Sequence, residues 1–337
     1  MLITGNDQPT IQHTITKLQD TFSLKEPKPL SLFLGIRISH MPNGIFLDQQ
    51  QYAHDILNSS GFLNCKPILT PSTTAFSLEA ASAALSITPT HYRQLAGSLQ
   101  YLTITRPDIA FATNQLCQHM HDPQPIHLKR LKRLLRYIKG TISYGLPLIR
   151  SRLILQSYVD ADWATDQTDR KSISGFCTFL GHNLISWSVK KQVTVARSSI
   201  EVEYRALASA TSDVLWLRRL LVDFDAAQTS PTNIFCDNIS AMTLANNPVF
   251  HARTKHIEID YHFIIHHIRS KEISVEHIHS ADQPADILTK SLSVTRFQEL
   301  RSKLTIVPND GAFAGGCKQP SSCAHDTFHL TAAAPLT

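Results

Sequence analysis

An apolar run, Leu153-Ile154-Leu155, leads into Ser157-Tyr158-Val159-Asp160-Ala161-Asp162-Trp163, and the stretch ends on acids. It reads as a strand over 153–160 that finishes on a carboxylate. Such a strand puts the carboxylate at the rim of a sheet, where ligands and metals can reach it. Three later stretches carry acids in settings that could converge on the same rim: Glu203, Asp237 and Asp286.

From 153 onward the pattern is one of short strands, at about 174–180, 183–188 and 191–196. A helix over about 199–223 follows, then a strand at 232–237 running into a helix at 239–246. A helix over 257–270, a strand at 273–278 and a short helix near 283–290 complete the series. Strands first, then alternating helices and strands, predict an α/β fold with a mixed sheet and helices packed on it.

The 199–223 helix discriminates between its two early acids. From Glu203, the positions Leu207, Ala210, Val214, Leu217 and Leu221 recur at helical spacing and are all apolar. Glu203 therefore lies in line with the face that packs on the sheet. From Glu201 the same steps reach Arg205, Ala208, Ser212, Leu215 and Arg219, which reads as a solvated face. Glu203 is therefore the active-site candidate of the two, with a helix-start acid stabilised by the dipole alone as its alternative, and Glu201 is expected to be an exposed first-turn acid favoured by the dipole. Asp237 ends the run Ile234-Phe235-Cys236 before a helix, so it is either a rim acid or a helix cap. Asp286 follows Pro284 in a short helical stretch, where it is either a surface acid or a member of the same group.

Upstream, Ile11, Ile15, Leu18 and Phe22 predict a helix over 8–22, with Asn6 or Asp7 as cap. Leu32–Ile38 reads as one strand, Asn43-Gly44 as the turn after it, and Ile45-Phe46-Leu47 as the start of its partner. A short helix near 50–59 ends before Gly61. Residues 64–90, rich in Ser, Thr, Ala and Pro, read as a long mobile connection. Helices follow at about 90–104, 108–121 and 126–139. In the third, Leu128, Leu131, Leu135 and Ile138 form an apolar stripe, and Lys129, Arg130, Lys132, Arg133, Arg136 and Lys139 crowd the remainder. Those cations are either a solvated face or phosphate contacts that release counterions. A domain boundary is expected around 145–152. Residues after about 305 lack periodicity and read as disordered.

At 337 residues the chain can hold two domains with sizeable cores. The net charge of +5 is compatible with a polyanionic partner. Cys65, Cys117, Cys177, Cys236, Cys317 and Cys323 form no CxxC pair, so zinc ligation is not expected and the thiols read as reduced and intracellular. No apolar run approaches the ~20 residues of a membrane span. No Gly-rich phosphate loop, HExxH or Gly-x-Ser-x-Gly supports nucleotide-triphosphate, zinc-protease or serine-hydrolase chemistry. Four converging carboxylates repel one another and raise each other's pKa. A hard cation such as magnesium reverses that penalty, and a pair of ions ~4 Å apart can promote phosphodiester cleavage.

Several stretches together, in this order, resemble the ribonuclease H domain of plant copia-type retrotransposon Pol polyproteins. They are Tyr158–Ala164, Ser172–Phe176, Ile185–Trp187 with Lys190–Gln192, Ala196–Tyr204, Cys236–Asn238, Arg253–Ile257 and Ala281–Lys290. Phe33–Ile36, Tyr92–Gly97, Thr105–Ile109 and Leu135–Gly140 resemble the same family's reverse transcriptase beyond its catalytic centre. The resemblance implies a five-stranded mixed sheet flanked by helices over 151–304. It implies a remnant of the reverse transcriptase over 1–150, with the end of the palm, a hairpin like the primer grip, and thumb or connection helices. Residues 305–337 would be a disordered tail.

The resemblance also implies roles. Asp160, Glu203, Asp237 and Asp286 match the family's four acids and would hold two Mg²⁺ ions, or Mn²⁺, with Asp160 bridging both. Lys190, Lys191, Arg197 and Asn238, with Lys129, Arg130, Lys132 and Arg133, would contact an RNA–DNA hybrid. His277 or His279 would stand where relatives place a histidine that assists product release. The family's Tyr-x-Asp-Asp motif precedes a segment like Leu2–Gly5, and no such motif occurs in these residues, so polymerase activity is not expected. The expected function is cleavage of the RNA strand of RNA–DNA hybrids, with the rest of the polyprotein as a partner, no small-molecule cofactor, and a cytoplasmic (virus-like particle) or nuclear location, not a secreted one. The competing reading is a non-catalytic nucleic-acid-binding relic. An integrase-type strand transferase fits less well, because its glutamate comes from a late helix.

Overall fold

The computed structural model describes residues 3–309 apart from 4, 6, 24–29, 74–87, 166–167 and 247–256. Asn6, the 74–87 part of the expected mobile connection, most of the Arg253–Ile257 stretch and the tail from 310 lie outside the described residues.

The N-terminal helix α1 (Gln8–Thr21) forms as its periodicity predicts, and none of its residues is buried. The single strand expected over 32–38 is two: β1 (Leu32–Phe33) and β2 (Ile36–Met41). They are separated by Leu34-Gly35, both at positive φ, 48° and 73°. That pair makes a left-handed turn, which Gly35 enters without steric penalty. A second turn leads from β2 into β3 (Gly44–Asp48).

Helix α2 (Gln50–Ser59) follows, then α3 (Pro89–Leu102), whose Thr88 cap accepts from the His91 N–H at 3.2 Å. The helix expected over 108–121 begins as a 3₁₀ turn, Pro107–Ile109, and continues as α4 (Ala110–Cys117). The basic helix is α5 (Pro125–Gly140), with Leu131, Leu134, Leu135 and Ile138 buried. The stretch expected to hold a boundary includes the strand β4 (Tyr144–Ile149), antiparallel to β3, and residues 150–154 separate it from the first strand of the second sheet.

The second sheet begins with β5 (Leu155–Asp162), β6 (Ile173–Leu180) and β7 (Asn183–Lys191). Residues 183–191 form one strand, and no separate strand covers 191–196. Then come α6 (Ser199–Asp223), β8 (Thr232–Cys236), α7 (Ile239–Asn246), α8 (Glu258–Arg269) and β9 (Ile273–His277). The sheet order is β7-β6-β5-β8-β9, antiparallel among β7, β6 and β5 and parallel among β5, β8 and β9. The expected last helix is a 3₁₀ turn, Pro284–Leu288, followed by α9 (Val294–Lys303) and β10 (Val307–Pro308). β10 pairs with β4, so the residues just past 304 belong to the first sheet, β1-β2-β3-β4-β10.

Strand alternation divides the second sheet between two cores. On one face Val159, Phe176, Ile234 and Val275 pack with Val202, Leu207, Ala210, Val214 and Ile264 of the helices α6 and α8. On the other, Cys177 and Phe179, with Tyr158, Trp187 and Val189, join a cluster containing Leu99, Leu131, Leu135 and Phe297. Helices before the second sheet, from α2 to α5, are thus its second cover.

A buried ionic knot ties the same parts together. Arg106 lies 2.7 Å from Asp108, and both are almost wholly buried. Arg106 also donates to the Thr141 carbonyl (2.7 Å) and hydroxyl (2.8 Å). The Tyr137 hydroxyl donates to Asp108 at 2.6 Å, and Arg301 of α9 reaches Tyr137 at 3.2 Å. Burial opposes the charge on Asp108, yet the Arg106 guanidinium holds its carboxyl below the usual range. Asp108→Ala would strand the Arg106 charge in the interior and is expected to lower unfolding free energy by roughly 3–5 kcal/mol. Urea denaturation of the full chain checks this; a loss under ~1 kcal/mol would show that the knot contributes little.

Candidate active site

Asp160 sits near the end of β5, paired with Gly175 of β6, and is 1% exposed. Its neighbour Val159 pairs with Cys236, the last residue of the adjacent parallel strand β8. Asp237 therefore emerges beside Asp160 at the carboxyl ends of neighbouring strands, where such sheets open to ligands. Glu203 reaches the same end from the first turns of α6 and is 6% exposed. Its companions Leu207, Ala210, Val214, Leu217 and Leu221 are all buried, as the periodicity predicts.

Asp286 comes from the 3₁₀ turn and is 8% exposed, not a surface acid. Three features fix that turn against β5. Gln283, fully buried, donates its amide to the Val159 carbonyl at 2.9 Å. Thr289 donates its hydroxyl to Asp160. Opposite Asp160, Gly175 has no side chain; a Cβ there would lie 2.8 Å from Leu288 Cβ and 2.9 Å from Thr289 Cγ2. Only glycine lets the turn approach this closely.

Ligand atoms of Asp160, Asp237 and Asp286 lie within 4.8 Å of one another, as do those of Glu203, Cys236 and Asp237. The four acids singled out in the sequence meet in two overlapping groups that share Asp237. The alternative role for Asp237 falls to its neighbour: Asn238 Oδ1 accepts from the Ala241 N–H at 3.0 Å and caps α7. Asp237 accepts instead from the Ser280 hydroxyl at 2.9 Å.

Burial, then the charges of Asp160 and Asp237, push the Glu203 carboxyl up to about 9. Burial is also the main cause that raises Asp160 to about 6; Lys290 opposes it and Asp286 adds to it. Such a set of oxygens, compressed and short of positive charge, fits a hard divalent cation. Cys236 is the odd donor: its sulfur lies 3.9 Å from Glu203, and burial holds its thiol well above the ordinary range.

Sequence reasoning misjudged Glu201 and gave no role to Lys290. Glu201 is buried rather than exposed: it accepts from the Arg197 N–H at 2.8 Å and pairs with Arg205 at 2.6 Å. Ser198 accepts from the Glu201 N–H, so the acid fastens the start of α6. Lys290 lies 2.8 Å from Asp286 and 3.1 Å from Asp160. Its position four residues after Asp286 was the available signal.

The expected nucleic-acid contacts are dispersed. Lys190 is exposed at the end of β7, two strands from β5; it pairs with Ser174 and through it with Ala161, the residue after Asp160, and two strand spacings are roughly 10 Å. Arg197 is exposed before α6. Lys191 pairs with Asp169 at 3.0 Å. On α5, Arg133 donates to Thr70 at 2.7 Å, while Lys129, Arg130 and Lys132 are partly buried. His279 accepts from the Ala281 N–H at 3.1 Å, and His277 is exposed at the end of β9.

The strand order, with acids at the carboxyl ends of its two central strands, defines a ribonuclease H-like fold. The chain belongs to the family of retrovirus-related Pol polyproteins from copia-type transposons. It is 45% identical over 307 residues to the retrovirus-related Pol polyprotein from transposon RE1 of Arabidopsis thaliana, covering 91% of this chain and 21% of that protein. It is 47% identical over 217 residues to an uncharacterized mitochondrial protein of Arabidopsis thaliana, covering 64% of this chain and 90% of that protein. The chain spans about a fifth of the length of the transposon polyprotein. Among solved structures, it is similar to LC11-RNase H1 in complex with an RNA/DNA hybrid, at 15% identity and a TM-score of 0.32, covering 40% of this chain and 93% of that one. No protein-family model matches the chain.

The raised acids give a pH test. Between about 4.5, the ordinary value for Glu203, and about 9, the native state keeps a proton that the unfolded chain has lost. Stability of the metal-free protein therefore falls as pH rises through that window. At pH 7, Glu203→Gln should stabilise the metal-free protein by about 3 kcal/mol and flatten the dependence. Thermal melts in EDTA from pH 5 to 9 check this; an unchanged slope in the variant would contradict it.

Proposed function

We propose that the chain cuts the RNA strand of RNA–DNA hybrids by metal-dependent hydrolysis. The observation that carries this is the meeting of Asp160, Glu203, Asp237 and Asp286 in two groups with Asp237 in common. These four would hold Mg²⁺, as one or two ions with Mn²⁺ as a substitute, which when bound would supply an activated water and steady the leaving 3′ oxygen. Burial of Asp160 and Glu203 keeps competing water from their oxygens and fixes their aim. The hydrogen bond from Ser280 orients Asp237, and Thr289 does the same for Asp160. Cleavage would leave a 3′ hydroxyl and a 5′ phosphate.

On this reading Lys190 and Arg197 contact the backbone of the hybrid beside the acids. Selection of hybrid over DNA duplex would come from 2′-hydroxyl contacts and groove shape. Residues 1–150 are read as the end of a reverse transcriptase that serves as the second cover of the nuclease sheet. DNA synthesis is not assigned to the chain, since no Tyr-x-Asp-Asp occurs in its 337 residues.

The test is cleavage of end-labelled hybrid in Mg²⁺ by the full chain and by Asp237→Asn. The wild type should cut within the hybrid, and the variant should lose about 100-fold or more in rate while melting normally. Salt-sensitive binding of hybrid with no metal-dependent cutting by the wild type would favour the relic instead.

A further inference from the structure

Asp286 is the acid whose charge the protein answers with its own cations. Lys290 Nζ lies 2.8 Å from Asp286 Oδ1, and Arg296 reaches Asp286 Oδ2 at 3.4 Å. The same Lys290 ammonium lies 3.1 Å from Asp160 Oδ1. One positive charge thus bridges two of the four carboxylates. Among the described residues, the ion pairs of Lys and Arg at this site reach Asp160 and Asp286 and not Glu203 or Asp237.

The backbone delivers Lys290 to this place. Its N–H donates to the Asp286 carbonyl at 3.0 Å, and the preceding Thr289 bonds Asp160 through its hydroxyl. The side chain is two-thirds buried, with 34% of its surface exposed. A lysine ammonium is a compact point charge on a flexible stem, so it can leave a site that a stronger cation enters.

We propose that Lys290 is a built-in counter-cation that occupies the Asp160–Asp286 half of the acidic cluster until a divalent ion displaces it. The Glu203–Asp237 half, which no ion pair among the described residues neutralises, is then the first to take metal. Lys290 sets how many ions the free protein holds, acting through the carboxylates as a positioning residue for the cluster. The inference rests on the proposed reading of these acids as metal ligands.

The test is Mn²⁺ binding by the full chain without nucleic acid. Free Mn²⁺ would be followed by electron paramagnetic resonance for wild type, Lys290→Met and Lys290→Gln. Lys290→Gln removes the charge while keeping a donor for Asp286, and so serves where the methionine variant folds poorly. The wild type should hold one tight Mn²⁺ per chain and a second only weakly. The neutral variants should bind the second about tenfold more tightly or better, since a unit charge has been removed from contact distance. In EDTA they should melt below the wild type, and Mn²⁺ should raise their melting temperature by more than it raises that of the wild type. Two equally tight ions in the wild type, or second-site affinity unchanged in both variants, would overturn the role of Lys290 while leaving the metal site intact. No Mn²⁺ binding by any of the three would overturn this inference and the proposed function together.

Discussion

Four carboxylates crowded at one end of a sheet repel one another, and the rest of this structure is arranged around holding them there. Asp160 and Glu203 cannot relax outward, because strands on either side and the buried stripe of α6 fix their backbones. Burial is the larger cause of the displaced Glu203 carboxyl, and the charges of Asp160 and Asp237 add to it. A fold that keeps such a cluster stores destabilisation at its functional end, which is where strain is tolerated when it serves a ligand. Among the described residues the relief is partial: one lysine and one arginine form ion pairs here, both with Asp286 and the lysine with Asp160 as well.

That arrangement demands rigidity beyond the second sheet alone. Its two faces need two covers, and the helices that follow in sequence supply only one. The other cover is the helices from α2 to α5 together with α9. The buried Arg106–Asp108 pair, reached by Tyr137 and then Arg301, pins these pieces to each other, and β10 closes the first sheet against β4. The N-terminal half is therefore structural support for the acids whatever else it does. A buried pair of this kind is sensitive to loss of one partner, because the other charge is then unanswered.

Much of this was legible in the sequence. The strand ending on Asp160, the apolar stripe from Glu203 and the strand–helix junction at Asp237 all follow from period and position, and local rules govern them. What was not legible depended on tertiary contact. Glu201 reads as solvated by helical stepping, yet the chain before α6 folds over it and Arg205 pairs with it. Asp286 reads as surface on its own, because its burial is created by the distant β5 and by Gly175. The turn at Leu34-Gly35 hid inside an apolar run, since leucine gives no warning of a positive φ. The strand β4, just before the second sheet, was not legible at all, because its partners β3 and β10 lie far apart in sequence. The basic face of α5 looked like a phosphate surface, but Arg133 and Arg136 reach Thr70 and the Lys66 carbonyl.

Anomalous diffraction from crystals of the protein soaked in Mn²⁺ tests the acidic cluster most directly. An anomalous peak should lie between the carboxylates of Glu203 and Asp237, with coordinating oxygens about 2 Å from the ion. Crystals in which these carboxylates stand apart, with Mn²⁺ bound elsewhere or not at all, would contradict the idea that these acids form one metal-holding site.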